Sequence, residues 1–303
     1  MPFLAAFTAI YAANLFEAGR VRIARARSFA QYQILGLLGA GGMGEVYEAE
    51  HSLLKRPCAV KVVHPSHRFD METLRRFEQE VKVTAQLTHP NTIRIYDYGQ
   101  TLSGVFYYVM EYVKGMTLYE LVRQYGPLPA SRALFLLDQA CGSLHEAHKL
   151  GMIHRDIKPG NLLISNPGGE GDFVKVVDFG LVAAMPESIH GHDDRSFGKM
   201  IGTPAFMPPE QGLGEGRVDA RSDVYALGAT AYFLVTGKVP FDEPTPQTQL
   251  LAHLTRVVPP PSIFSQEISE DFEQVILRCL EKNSSARYQS MGDLRDALAA
   301  CAC

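Results

Sequence analysis

The sequence predicts an α+β protein of two halves, a small antiparallel β lobe followed by a larger helical lobe. Three observations carry this. From Gln31 to about Tyr112 the segments are short and rich in β-branched and aromatic residues. A single stretch of helical periodicity interrupts them, and past Gly115 helical periodicity takes over. The segments YQILGLL, EVYEAE, CAVKVV, TIRIYDYG and VFYYVMEYV read as five strands of one antiparallel sheet, each bounded by Gly, Pro or charge. In METLRRFEQEVKVTAQL the apolar residues Leu74, Phe77, Val81 and Leu87 recur at helical spacing, which makes one amphipathic helix inside the β region. LYELVRQY, ASRALFLLDQACGSLHEAHKL, SDVYALGATAYFLVTG, DFEQVILRCLEK and MGDLRDALAAC then give the helices of the second half, with Gly or Pro near their ends. No repeat of solenoid length is present.

At 303 residues, 46% hydrophobic and 20% charged, the chain has globular composition and length for two lobes with their own cores. A net charge of −4 lacks the basic footprint of a nucleic-acid binder, so no nucleic-acid partner is expected. The five cysteines have neither paired CxxC spacing nor disulfide-scaffold density, so reduced thiols and a cytoplasmic location are expected. Residues 1–30 read as an extension. Met1 to Phe16 carry no charge and Arg20, Arg22, Arg25 and Arg27 follow. The apolar run is shorter than the roughly 20 residues that span a bilayer, and the charge lies on the wrong side for a secretory signal. An extra packed helix or a poorly ordered arm is expected ahead of a membrane-surface helix held by Phe3, Leu4, Phe7, Leu15 and the arginines.

The chemistry concentrates in a few motifs. Gly39, Gly41 and Gly44 in LGAGGMGEVYEA form GxGxxG, a pattern shared with dinucleotide-binding folds. There the glycines open a helix and an acid follows about 20 residues on. Here a strand pattern follows and position 64 is a histidine, which leaves a glycine-rich hairpin whose amides approach phosphate oxygens closely. Lys61 sits among Ala59, Val60, Val62 and Val63, in a strand apolar enough that a charge needs a partner. Glu80, in the middle of the lobe's helix, is the candidate. In HRDIKPGN, Asp156, Lys158 and Asn161 share one short loop, and Asp178 opens DFG after the strand FVKVV. Two carboxylates and an amide are hard oxygen donors of the kind Mg²⁺ takes when it also keeps phosphate oxygens and water.

On these motifs the chain resembles a eukaryotic-type protein serine/threonine kinase of the kind found in bacteria. LGAGGMGEV, CAVK, HRDIKPGN, DFG, GTPAFMPPE, SDVYALG and RCLEKNSSARY occur in the family's order from about Tyr32 to Ala300. The resemblance implies a bilobal protein-kinase-like fold over 31–303, with an N-lobe at 31–110, a hinge at 111–115 and a C-lobe at 116–303. It implies ATP and Mg²⁺, or Mn²⁺, as cofactors and proteins carrying Ser or Thr as substrates. Leu38, Gly39, Ala40, Gly41, Gly42 and Gly44 would cover the phosphates, and Val46 and Ala59 the adenine. Lys61, held by Glu80, would bind the α and β phosphates. Met110, Glu111 and Val113 would line the hinge side of the nucleotide, and Leu163 its floor. Asp156 would orient the substrate hydroxyl, Lys158 would sit by the transferred phosphoryl group, and Asn161 and Asp178 would hold the metal.

The Lys158–Pro159 pair and Thr203 fit the serine/threonine version. The departures are Pro208 for alanine in the APE position, Phe206 for a common tyrosine, and Thr84 where the family usually places an apolar residue. Glu210 is expected to pair with Arg287. Arg155 before Asp156 implies control by activation-segment phosphorylation, with Ser196 chosen over Ser188 and Thr203, and autophosphorylation there is expected. The HGHDD stretch at 190–194 is expected to be solvated. A pseudokinase scaffold and a small-molecule phosphotransferase are the alternatives. The first requires loss of a catalytic group, and the second lacks the GTPAFMPPE segment.

Overall fold

The computed structural model describes residues 31–301 apart from 42–43, 64–70, 102–104, 170, 180–203 and 214–217. These group into two compact units, one from the residues up to Pro65 together with Ile95–Tyr112, the other from Ser66–Arg94 and the chain from Val113 on.

The first unit is the five-stranded antiparallel sheet: β1 (Tyr32–Gly41), β2 (Gly44–His51), β3 (Pro57–Val63), β4 (Ile95–Gln100) and β5 (Phe106–Glu111), in the order β1-β2-β3-β5-β4. β3 is central, which explains its unbroken apolar run. Tyr47, Ala49, Cys58, Val60, Val62 and Val109 pack on one face as the core of this unit. At the β1–β2 turn Gly44 has φ +147, and a Cβ there would lie 2.0 Å from the Val62 carbonyl oxygen. The hairpin lies against β3 only with glycine at this position.

Eight α-helices are described in the second unit. The first, α1 (Met71–Thr84), groups with this unit although the sequence inserts it between β3 and β4. The side chains of Leu74 and Phe77 lie outside the described residues; Val81 is fully buried and Leu87 follows the helix in a turn. Thr84 is buried too. Its hydroxyl donates to the Glu80 carbonyl at 2.8 Å and meets Met152 Sδ at 3.7 Å, so the polar group at an apolar position is satisfied by its own helix. α2 (Leu118–Tyr125) opens with a capping box, Glu120 N–H donating to Thr117 Oγ1 at 3.1 Å and Thr117 N–H to Glu120 Oε2 at 2.8 Å. α3 (Ala130–Lys149) and α5 (Ala220–Thr236) form the centre. From Ser222 to Thr236 every residue of α5 is buried, as expected of a helix apolar all round. α4 (Pro209–Leu213), α6 (Pro246–Thr255), α7 (Glu270–Cys279) and α8 (Met291–Cys301) complete the set. Leu137 and Leu144 of α3, Tyr225 and Phe233 of α5, Phe272 of α7 and Leu298 of α8 share one core. A second sheet, β6 (Gly115–Thr117), β7 (Leu162–Ser165) and β8 (Phe173–Val176), flanks it. Cys58, Cys141, Cys279 and Cys301 are free thiols. No helix among the described residues is long and apolar enough to cross a membrane.

The expected pair of Glu210 and Arg287 is present. Arg287, 1% exposed, donates from Nη1 to Glu210 Oε1 at 2.8 Å and from Nη2 to Oε2 at 2.9 Å. Its other donors go to the carbonyls of Glu281, Arg221 and Lys282, and its guanidinium lies 4.8 Å from the centre of the Tyr225 ring. Burial alone would raise the Glu210 carboxyl, but the hydrogen bonds and charge of Arg287, with the Ser222 hydroxyl, hold it below its ordinary value. This ties the start of α4 to the turn before α8.

Replacing Arg287 with Met leaves a buried carboxylate without its partner and is expected to cost about 3–5 kcal/mol in denaturant unfolding. Because the folded-state pKa of Glu210 is depressed, its contribution is complete above about pH 5 and lost as pH falls through the folded value. Glu210→Gln should therefore flatten the acid limb of the stability profile.

Candidate active site

The His154–Asn161 loop runs from the end of α3 into β7, and Asp223, in the first turn of α5, fixes its backbone. Asp223 Oδ2 accepts from His154 N–H at 2.8 Å and from His148 Nε2 at 2.8 Å, and Oδ1 accepts from Arg155 N–H at 2.9 Å. Burial would raise this carboxyl; the hydrogen bonds it accepts from the His148 ring and the His154 amide outweigh it and hold the group low, so it stays ionised in the core. His154 is buried, its Nδ1 accepting from Asp156 N–H at 3.3 Å while Nε2 faces the Val177 carbonyl at 2.9 Å. An acceptor at one nitrogen and a donor at the other define the neutral ring with its proton on Nε2.

Asp156, Lys158 and Asn161 converge. Asp156 Oδ2 accepts from Lys158 Nζ at 2.8 Å and from Asn161 Nδ2 at 3.0 Å, and Asn161 Nδ2 also donates to the Asp156 carbonyl at 2.7 Å. Asp156 Oδ1 and Asn161 Oδ1 take no hydrogen bond among the described residues. The β7–β8 register brings in the second acid. Leu162 lies opposite Val176, so Val177 N–H donates to the Asn161 carbonyl at 3.0 Å and Asp178 follows directly. Phe179 is buried in the core with its ring 4.8 Å from that of His154. Arg155 and Asp178 have φ of 66° and 62°, left-handed backbone that costs about 1–3 kcal/mol for a residue other than glycine and gathers at functional sites. The loop is over-determined by Asp223 and by the Phe179 anchor, which is what sustains that strain.

Glu80 lies in the same unit. Its Oε2 is buried without a hydrogen bond among the described residues, as is Arg155 Nε. Burial pushes the Glu80 carboxyl up to about 7, opposed by the charge of Arg155.

In the first unit, register places the other predicted residues. Val46 lies opposite Lys61, Lys61 opposite Tyr108, and Ala59 opposite Met110. Directly opposed residues share a face, so Val46, Ala59, Lys61 and Met110 line the side of the sheet away from its core. Lys61 is 5% exposed, with Nζ 6.0 Å from the centre of the Tyr108 ring. Leu38 is 47% exposed near the end of β1, with Gly39, Ala40 and Gly41 beyond it, and Glu111 ends β5. Val113 begins the second unit, where Leu163 lies on β7 opposite Lys175. Gly42, Gly180, the Ser188, Ser196 and Thr203 candidates, HGHDD and the 1–30 extension lie outside the described residues.

The donor set fits a divalent cation and a phosphate chain. Asn161 spends its amide group's donors on Asp156 and so presents Oδ1 as a hard acceptor, next in space to the Asp178 backbone. A Cβ built on Gly39 would meet nothing within 4 Å, so its own surroundings do not demand glycine there.

Ser222 and Asp223, which lie in the SDVYALG motif but take no role from it, and His148, outside every motif, support the site. The available signal was an acid inside SDVYALG, an otherwise apolar helix, since a carboxylate in a buried helix requires several donors.

The protein kinase domain family matches residues 32–297. The chain is 37% identical over 262 residues to the serine/threonine-protein kinase pkn3 of Myxococcus xanthus, covering 86% of this chain and 48% of that protein. It is 36% identical to PrkC of Bacillus subtilis and 38% identical to PknB of Mycobacterium tuberculosis, each over 268 residues and 88% of this chain, with 40% and 42% of those proteins covered. The chain thus spans less than half the length of these relatives. Among solved structures, the PknI kinase domain of Mycobacterium tuberculosis superimposes with a TM-score of 0.70 at 28% identity, covering 92% of this chain and 98% of that one. Motif order, the five-stranded sheet with its helical partner unit, and relatives at this identity lead to one assignment: the chain belongs to the protein kinase domain family, in its bacterial serine/threonine branch.

Proposed function

We propose that the chain transfers the γ-phosphoryl group of ATP to serine or threonine hydroxyls of proteins, itself included. The observation that carries this is the state of Asp156: Oδ2 is held by Lys158 and Asn161, and Oδ1 is left open to accept the hydroxyl proton. Asn161 and Asp178 would hold the divalent cation, for which we propose Mg²⁺ or Mn²⁺. When bound, such a cation neutralises phosphate charge and aligns the phosphoryl group. Lys158, bonded to Asp156, is positioned to stabilise the charge on the transferred group, and Asp223 keeps the backbone of His154 and Arg155 from relaxing. The glycine-rich hairpin, Lys61 and the face bearing Val46, Ala59 and Met110 are proposed to hold the nucleotide, with the Glu111 and Val113 backbone and Leu163. Glu80 is proposed as the partner of Lys61. An acid buried without a hydrogen-bond donor is a charge awaiting a cation, and an ammonium beside it would bring its pKa down.

A pseudokinase scaffold is disfavoured because Lys61, Glu80, Asp156, Asn161 and Asp178 are all retained. Ser196 is proposed as the autophosphorylation site, with Arg155 as the group that would receive its phosphate. A cytoplasmic placement of this domain is proposed from its unpaired cysteines.

With labelled ATP and Mg²⁺, Asp156→Asn and Asp178→Asn are each expected to lower phosphorylation of a serine peptide by about 10²–10⁴-fold. Label equal to that of the parent overturns the assignment. Asp223→Asn removes the charge that draws in two backbone amides and a histidine. It is expected to lower kcat by about tenfold or more with the peptide KM little changed, read from the same assay.

Glu80→Gln separates stability from activity. An acid whose folded pKa is raised destabilises the fold fully above that value and not at all below its unfolded one. Melted without nucleotide, with Glu80 Oε2 unpaired among the described residues, the variant should therefore melt about 2–4 °C above the parent at pH 8 and level with it near pH 4, while phosphorylation, which takes the Lys61 pair, falls. Equal melting at pH 8 would refute the buried-charge reading.

A further inference from the structure

The second unit carries an open groove of about 640 Å³ formed by α2, the Ala205–Phe206 turn, the segment after α5 and the Pro259–Phe264 loop. It adjoins the catalytic loop through one side chain: Phe206 lines both this groove and the small cavity behind Arg155, Asp156 and Ile157. From Phe206 a series of rings runs outward. Its ring lies edge-on to Phe233 at 6.2 Å, and Phe233 stacks on Tyr119 at 5.6 Å with an interplanar angle of 7°. Arg123 rests on the end of the series, its guanidinium carbon 5.2 Å from the Tyr119 ring centre and 5.8 Å from that of Phe233, with Nε–H donating to Tyr119 Oη at 3.2 Å. Across the groove Lys238 Nζ stands 4.1 Å over the Phe264 ring.

These two cations differ from five ion-paired arginines of the unit and share with Arg278, whose guanidinium carbon lies 4.4 Å from the Tyr288 ring centre, a place on an aromatic face. Arg132, Arg221, Arg256, Arg287 and Arg295 each meet a carboxylate of their own chain. Arg123 and Lys238 meet none among the described residues and are held by aromatic faces, an arrangement that fixes a charge without neutralising it. Asp242 is the one carboxylate among the described residues lining the groove, so cations outnumber it by two to one. A further group awaits an acceptor: Tyr232, fully buried, lines the groove, and its hydroxyl has no hydrogen-bond partner among the described residues. Burial pushes this phenol up to about 12, so it keeps its proton as a donor.

We propose that this groove selects protein substrates carrying an acidic residue close to the phosphorylated serine or threonine, with Arg123 and Lys238 as its specificity-determining residues. The proposal rests on the kinase reading given above and names the substrate class for that same site. A peptide extending from the catalytic loop past Phe206 enters the groove, sets its carboxylate between the guanidinium and the ammonium, and lays neighbouring apolar side chains on Tyr119 and Phe264. Neither cation touches the reacting atoms. Both act on substrate binding, and their signature is in KM.

The test uses the full chain with ATP and Mg²⁺ and three serine peptides identical except for two flanking positions, which are both Glu, both Gln or both Lys. The parent is expected to show a KM for the Glu peptide about tenfold below that for the Gln peptide, with kcat within about twofold. The double variant Arg123→Glu with Lys238→Glu should reverse the order and prefer the Lys peptide. Since that variant must fold to phosphorylate anything, the reversal also excludes a merely structural effect. Lys238→Met, at an exposed position, supplies a milder second variant expected to lose part of the Glu preference. Equal KM values for the three peptides with phosphorylation intact, or an unchanged Glu preference in the variants, overturn the groove proposal and leave the kinase reading standing. Failure of the parent to phosphorylate any peptide or itself overturns both.

Discussion

The Asp223 carboxylate is the constraint on which the site depends. It sits fully inside the second unit, at the start of a helix with no polar side, and it accepts from two consecutive backbone amides and from a histidine. An ion in that position is costly unless every lone pair is used. Here the cost is offset by drawing His154 and Arg155 onto the helix, and Arg155 takes up left-handed backbone in turning the chain toward Asp156. The alignment of Asp156, Lys158 and Asn161 is downstream of this. They bond to one another because the strand that follows them and the loop that precedes them are both fixed. The β7–β8 hairpin then converts proximity in a ladder into proximity of Asn161 and Asp178, the two groups proposed to hold the cation.

Much of this is legible in the sequence, for reasons that differ by element. The five strands and the interrupting helix follow from periodicity alone, because a central strand such as CAVKVV is apolar on both faces and an amphipathic helix is not. GxGxxG separates from a dinucleotide fingerprint because a strand follows it. Lys61 stands out because a charge in an apolar strand is anomalous. The short catalytic loop is local, with its key groups within a few residues, so the amino-acid order by itself groups Asp156, Lys158 and Asn161. The resemblance to kinases then supplies roles that spacing cannot.

What is not legible is long-range. Asp223 bonds to residues 68 and 69 positions away, and no local pattern announces that pairing. Glu210 and Arg287, 77 apart, pair in the sequence only through the resemblance. Thr84 departs from the family pattern, and the structure gives the reason it is tolerated: its hydroxyl returns to the carbonyl one turn earlier, so burying it strands no polar group. The groove cations are likewise invisible in the sequence. Arg123 and Lys238 read as ordinary solvated charges until the rings beneath them and the absence of carboxylates beside them, among the described residues, are taken together.

The placement of α1 bears on how the chain is made. The sheet order β1-β2-β3-β5-β4 leaves β3 without its second neighbour until β5 has been synthesised, and the chain segment between them includes α1, which groups with the other unit. On the ribosome the first three strands therefore emerge as an incomplete sheet with the apolar strand β3 at its edge, and α1 emerges before most of the unit it groups with has been made. An unpaired apolar edge is an aggregation hazard. It lasts at least for the time needed to translate from Val63 to Glu111, on the order of seconds at about 5–20 residues per second. The interleaving that gives each unit a share of one contiguous stretch of sequence also means that neither unit can be completed before the other has begun.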